Sequence, residues 1–156
     1  MVKTYSVQEV YEFMKKTSIM SAAFCHQNNK PLSTILLFAI DEDFTMYFAT
    51  LSSSYKAKAI EENNQISISV WEHKQMLVQA NGSISKINDP AELNTALDKI
   101  VESSATHEDF WPPVLQISGH DYAVYKIKLS WLRALDLTSP YLVENKSLFT
   151  EIKLYE

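Results

Sequence analysis

Polar and apolar residues change rhythm several times along this chain, and each change predicts an element. Val7, Val10, Tyr11 and Met14 recur at helical spacing behind Ser6 and Glu9, a serine–glutamate capping box. A first helix is therefore predicted over about 7–16. From Ser18 the pattern turns to strand, Ile19 to Cys25, with a turn over Gln27 to Pro31. Leu32 to Ile40 is apolar and β-branched, Asp41-Glu42-Asp43 turns, and Phe44 to Thr50 is strand again. These three segments predict an antiparallel meander.

Ser52, Ser53 and Ser54 are N-cap candidates for a short helix that Ala57 to Glu62 favours and Asn63-Asn64 stop. Ile66, Ile68 and Val70 then alternate with Ser67 and Ser69, a half-buried strand. Met76 to Ile87 is a longer strand in which Gly82 predicts a bulge or bend. Asp89 as N-cap, Pro90 and Glu92 open a further helix with Leu93, Leu97, Ile100 and Val101 as its apolar face. Residues 103–120 read as a long loop holding Phe110-Trp111. Tyr122–Leu129, Trp131–Leu137 and Ser147–Lys153 are predicted closing strands. About eight strand segments and three helical connections imply a closed or split β-barrel, since a sheet this size must roll up to bury one face.

Composition narrows what such a barrel can hold. The 156 residues include only two glycines, Gly82 and Gly119, so neither a dinucleotide fingerprint nor a P-loop can exist. Any phosphate must sit on something other than a glycine-rich loop. One domain, residues 1–156, is expected at this length. The net charge of −5 speaks against nucleic-acid or anionic-membrane partners. A single cysteine, Cys25, excludes an internal disulfide and fits a reducing compartment. No apolar run approaches the ~20 residues that span a bilayer, and the N-terminus does not read as a signal peptide. A soluble, cytoplasmic domain is expected. His26, His73, His107 and His120 are scattered without metal-ligand spacing, so no metal site is expected.

The chemistry concentrates in Thr50-Leu51-Ser52-Ser53-Ser54-Tyr55-Lys56, a strand end entering a helix. Unpaired amides and the helix dipole make such a start attractive to anions, and serine hydroxyls with the Lys56 ammonium add donors. The same residues also read as an ordinary serine-capped surface helix with a solvated lysine.

Thr50-x-x-x-Ser54-Tyr55-Lys56-Ala57, followed by Ile60 and Asn63-Asn64, resembles the Thr-x-x-x-Ser-Arg-Lys-Ala stretch of the pyridoxamine 5′-phosphate oxidase-like family of FMN-binding split barrels. The order of elements is similar over nearly the whole chain. The resemblance implies a six-stranded antiparallel split barrel with flanking helices, a homodimer, and FMN at the subunit interface. It implies that Ser54 and Lys56 hold the FMN phosphate and that Thr50 lines the flavin. Ser33, Thr34 and Ile35 match the family strand that contacts phosphate and ring, although the oxidase itself begins that strand with arginine. Tyr55 likewise stands where arginine is common, leaving Lys56, helped by Lys58, as the main positive charge. Leu77 occupies the position of a flavin-contacting glutamine, and Trp131 and Arg133 do not fall on the oxidase's tryptophan and arginine positions. Vitamin B6 oxidase activity is therefore not expected. The resemblance is to short single-domain members such as the general-stress-protein branch. Trp71 and Trp111 stack on or wall the flavin, or plug the barrel ends. The expected function is an FMN-dependent oxidoreductase using NAD(P)H or a small organic substrate. The alternative is a non-catalytic module for flavin or haem.

Overall fold

The computed structural model describes residues 3–107, 121–138 and 147–154. Among the described residues three helices, α1 (Val7–Thr17), α2 (Tyr55–Glu62) and α3 (Pro90–Ser104), flank eight strands. The strands are β1 (Ile19–His26), β2 (Lys30–Leu37), β3 (Ala39–Ile40), β4 (Met46–Leu51), β5 (Gln65–Glu72), β6 (Met76–Lys86), β7 (Tyr122–Asp136) and β8 (Phe149–Glu151). All pair antiparallel in one sheet ordered β2-β1-β5-β6-β7-β4-β3, with β8 added beside β7. Six long strands thus form the split barrel, and β3 and β8 are short additions.

The capping box of α1 forms as predicted. Ser6 Oγ accepts from the Glu9 amide at 3.2 Å, and the Ser6 amide donates to Glu9 Oε2 at 2.9 Å. The helix ends on Ser18 in the left-handed region, whose amide returns to the Met14 carbonyl at 2.9 Å.

One bend shapes the barrel. The predicted strand over Leu32–Ile40 is interrupted at Phe38: its amide still donates to the Ser18 carbonyl at 2.9 Å, in register with β1, but the Ser18 amide is turned back to the Met14 carbonyl, so the ladder goes no further. On one side of the break β2 pairs with β1; on the other β3 pairs with β4. A single run of sequence therefore touches both edges of the sheet and curls it. Phe44, expected to begin a strand, instead takes φ 65° in the turn, and β4 starts at Met46. Its ring is buried and packs edge-on against Tyr11 at 6.1 Å, so apolar character there reflects the core and not a strand. Two asparagines, Asn28 and Asn29, both near φ 58°, make the β1–β2 turn tighter than predicted. Pro31 is tolerated because β2 lies at the sheet edge, where its missing N–H leaves no ladder bond unmade.

The two predicted strands from Tyr122 and from Trp131 are one strand, β7, carrying a bulge at Ser130. Asn81 pairs with Trp131 and Gly82 with Leu129, so Ser130 is the extra residue. The bend foreseen at Gly82 thus lies in its partner.

The barrel interior is lined by Met20, Phe24, Phe48, Val70, Val78, Ile127 and Leu132, and α1 closes it with Val10, Phe13 and Met14. Phe48 stacks on Tyr125 at 5.3 Å. A second, smaller cluster lies on the other side of β4 and β7, where α3 packs Ala96 and Ile100 with Leu93 and Leu97 against Tyr47 and Val124. Val101, expected on that apolar face, is exposed. Lys99 anchors α3 by contacting both Asp41 oxygens at 2.7 Å, while the Tyr47 hydroxyl donates to the same carboxylate at 2.9 Å.

Asp136, buried at the end of β7, accepts from the Lys3 amide, the Tyr5 hydroxyl, and the Thr138 amide and hydroxyl. Burial pushes its carboxyl upward, but the donors, Thr138 foremost, outweigh it and hold the pKa below the ordinary carboxylate value. The ionised form is thus favoured on folding. That stabilisation is present above the unfolded aspartate's pKa and is lost as pH falls through the lower, folded value. Urea midpoints measured from pH 7 to pH 3 should fall less steeply in Asp136→Asn than in the native chain, and Asp136→Asn should be the less stable of the two at pH 7.

Candidate functional site

The site is built where β4 hands over to α2. Thr50 and Leu51 still pair with Ala123 and Tyr122 of β7. The chain then turns, with the Ser54 amide donating to the Leu51 carbonyl at 3.0 Å and the Ser52 amide to the Asp121 carbonyl at 2.9 Å. Ser54 is the N-cap of α2. Its hydroxyl oxygen accepts from the Ala57 amide at 3.1 Å and faces the buried Thr50 hydroxyl at 3.2 Å. With Thr50 as donor, the Ser54 proton remains to be given to a ligand. Among the described residues nothing accepts from the amides of Tyr55 or Lys56, the first two of the helix.

Lys56 supplies the charge. Its side chain is half-buried, and burial alone lowers its pKa; no carboxylate pairs with it among the described residues. A cation taken partly out of water without a counter-ion is costly unless an anion joins it. Two open amides, a hydroxyl proton and a half-buried ammonium thus belong to the first residues of one helix. This donor set fits the terminal phosphate of FMN.

Tyr55, where a guanidinium is common in the resembling family, is 72% exposed. Its ring meets His26 edge-on at 6.2 Å and lies 5.9 Å from the Lys58 ammonium. His26 brings the end of β1 beside α2, its Nδ1 3.6 Å from Glu62 but without a hydrogen-bond partner among the described residues; its place here was not legible in the sequence. His26 pairs with Lys30 at the start of β2. Ser33 and Ile35 lie three and five residues further along that strand, about 10 and 17 Å at the usual strand rise. They are on the outer face of the sheet, opposite Ala23 and Ser21, whereas Thr34 shares the inner face with Ala22. The structure therefore joins Thr50, Ser54, Tyr55 and Lys56 directly, and sets Ser33, Thr34 and Ile35 out along the adjoining edge strand.

Ile35 and Trp71, 55% and 58% exposed, line a cleft of about 430 Å³ with Ser21, Ser69 and His107. Trp111, the other aromatic candidate, lies outside the described residues. Among the described residues no three His, Cys, Asp or Glu side chains gather as metal ligands, and no helix is long and apolar enough to cross a membrane.

Removing the Ser54 hydroxyl tests the local architecture. Ser54→Ala loses the N-cap and leaves the buried Thr50 hydroxyl without its partner, for an expected loss of about 1–2 kcal/mol in chemical denaturation.

A curled antiparallel sheet with a capped helix start at the end of β4 defines a small split barrel. The sequence profile of the pyridoxamine 5′-phosphate oxidase family matches residues 6–136, and the chain belongs to that family. The fold is similar to that of a conserved hypothetical protein from Mycobacterium tuberculosis, at TM-score 0.72 and 15% identity, covering 94% of this chain and 96% of the other. An FAD-binding protein from Mesorhizobium loti matches at TM-score 0.67 and 18% identity, covering 86% and 95%. HutZ, a haem storage protein from Vibrio cholerae, matches at TM-score 0.63 and 16% identity, covering 82% and 94%. At these identities the structural likenesses establish the fold. No curated protein matches the sequence significantly. The fold family thus includes both flavin-binding and haem-binding members.

Proposed function

We propose that this chain is an FMN-binding oxidoreductase of the flavin reductase or oxidase type, working as a homodimer with FMN at the subunit interface. The observation that carries the reading is Lys56, a half-buried ammonium without a carboxylate partner among the described residues, on a helix start with two open amides. When bound, FMN supplies hydride or electron transfer between NAD(P)H and a small organic molecule. The chain's own part is to bind and orient. Ser54 and Lys56 hold the phosphate, Thr50 fixes the Ser54 hydroxyl, and Ser33, Thr34 and Ile35 extend the site along β2 toward the ring. Leu51, Tyr55, Ile35 and Trp71 are large apolar side chains left exposed around this path, a surface for a second copy to cover and so to limit water access. The departures at Ser33, Thr34 and Tyr55 leave fewer charges than the oxidase has, so affinity rests mainly on Lys56.

Calorimetric titration with FMN checks the reading. One FMN per chain and a flavin absorbance that survives desalting are expected; a chain that neither binds nor retains FMN overturns it. Sedimentation of the loaded protein should give a dimer.

A haem-binding role is the second reading. The observation favouring it is His107, whose buried Nε2 has no partner among the described residues and which lines the cleft with Trp71 and Ile35. Titration with haemin should then produce a sharp Soret band in the native chain that His107→Ala loses.

A further inference from the structure

The outer face of the sheet carries a row of side chains in register across six strands. Ile35 pairs with Ser21, Ser21 with Ser69, Ser69 with Gln79, Gln79 with Arg133, and Arg133 with Glu151. Four strand spacings separate Ile35 from Arg133, about 19 Å. The Arg133 end is built with care. Its Nε and Nη2 donate to Gln79 Oε1 at 3.0 and 2.8 Å, and its guanidinium lies 5.0 Å from the Trp131 ring and 3.7 Å from that of Phe149. Two of five N–H donors are thus spent on holding the side chain, and among the described residues no carboxylate forms a salt bridge with it.

A cleft of about 300 Å³ opens beside this guanidinium, lined by Ser21, Ser67, Ser69, Gln79, Trp131 and Arg133 among others. No other side chain or backbone group bonds the three serine hydroxyls among the described residues. Ser21 and Ser69 also line the larger cleft that holds Ile35 and Trp71, so the two clefts share a wall and form one bipartite groove. Its polar lobe ends on Arg133; its other lobe sets the apolar Ile19, Ile35 and Trp71 beside the polar Lys16, Glu72 and His107.

We propose that this groove binds an amphiphilic monocarboxylate, its carboxylate on Arg133 and the serine hydroxyls and its apolar body lying toward Trp71 and Ile35. The planar, pinned fork of arginine suits a carboxylate. In the polar lobe a dianion is disfavoured, because Glu151 stands opposite Arg133 and accepts from Trp131 Nε1 at 3.4 Å, setting that lobe's one cation beside a negative neighbour; in the other lobe Lys16 is likewise matched by Glu72. The binding site rests on the groove. That its occupant is the oxidoreductase's substrate rests on the flavin reading, since the apolar lobe borders the end of β2 along which that reading extends the flavin site.

The test is calorimetric titration of the full chain with 3-phenylpropanoate and, as the uncharged counterpart, 3-phenylpropanol. The acid should bind at least about tenfold tighter than the alcohol, the scale of one lost charge-assisted pair. Arg133→Gln should remove that preference. Ser69→Leu, which leaves Arg133 in place and fills the junction of the two lobes, should weaken the acid by a similar factor. Lys128→Gln, an exposed charge on β7, should leave it unchanged. Thermal midpoints verify folding, and Ser69→Leu decides the matter if Arg133→Gln does not fold. Equal binding of acid and alcohol by the native chain, or native-like acid binding by the folded variants, overturns the proposal. FMN titrated into the same native chain reports on the flavin reading separately, whatever the acid does.

Discussion

Lys56→Ala is expected to weaken FMN binding by about 10- to 150-fold, the equivalent of about 1.5–3 kcal/mol for a charge-assisted hydrogen bond. Riboflavin, which lacks the phosphate, should lose less than about threefold, because the residues proposed along β2 toward the ring are untouched. Parallel calorimetric titrations of native and variant chains with both ligands provide the comparison. Equal losses for the two ligands would refute the phosphate role. The size of the effect follows from the poverty of other charge at the site: Tyr55 replaces a guanidinium, and Ser33 and Thr34 are neutral. Burial lowers the Lys56 pKa, so the free site loses its ammonium at a lower pH than an exposed lysine would. FMN affinity should therefore decline with rising alkalinity earlier than ordinary lysine titration predicts, and the decline should be missing in Lys56→Ala. High salt should weaken the native complex, though less than it would a fully exposed pair.

Gly82→Ala is the substitution expected to cost the barrel most for its size. A Cβ at Gly82 would stand 2.5 Å from the Lys128 carbonyl oxygen and 3.1 Å from Leu129 Cα. Both obstacles are backbone of β7 next to the Ser130 bulge, so no side-chain rotation relieves the clash. Either the bulge migrates or β6 and β7 separate locally, at the most extensively paired junction in the sheet. A loss of about 2–4 kcal/mol in urea denaturation is expected, against about 0.5 kcal/mol or less for Ser85→Ala on the exposed edge of the same strand. A native-like midpoint for Gly82→Ala would show that the bulge shifts freely.

The local elements were legible because each has a short-range cause. Ser6 and Glu9 cap α1, Asp89 and Pro90 open α3, and the alternation of Ile66, Ile68 and Val70 marks a strand with one buried face. The helix start at Ser54 was legible for the same reason, since a cap is a contact between residues three apart. Elsewhere apolar character misled. Phe38 and Phe44 look like strand residues, yet one is the corner at which the sheet curls and the other fills the core from a turn. Buried position and extended backbone leave the same hydrophobic mark, so pattern alone does not separate them. Ser130 offered no sign of a bulge, because a polar residue between apolar ones reads equally as a turn.

The functional surfaces divide along the same line. Thr50, Ser54 and Lys56 lie within seven residues, so local chemistry alone marked them as an anion site. That Lys56 is half-buried without a carboxylate partner among the described residues depends on which elements pack around α2, and no spacing reveals it. His26 beside Tyr55, and the row from Ile35 to Arg133, depend on register between strands far apart in the chain. Register is set by long-range pairing: one residue of slip at the Ser130 bulge would turn Arg133 from the outer face to the inner. Capping, alternation and turn chemistry are therefore written in neighbouring residues, whereas the groove and the unpaired charge exist only once long-range pairing has chosen a side for each side chain.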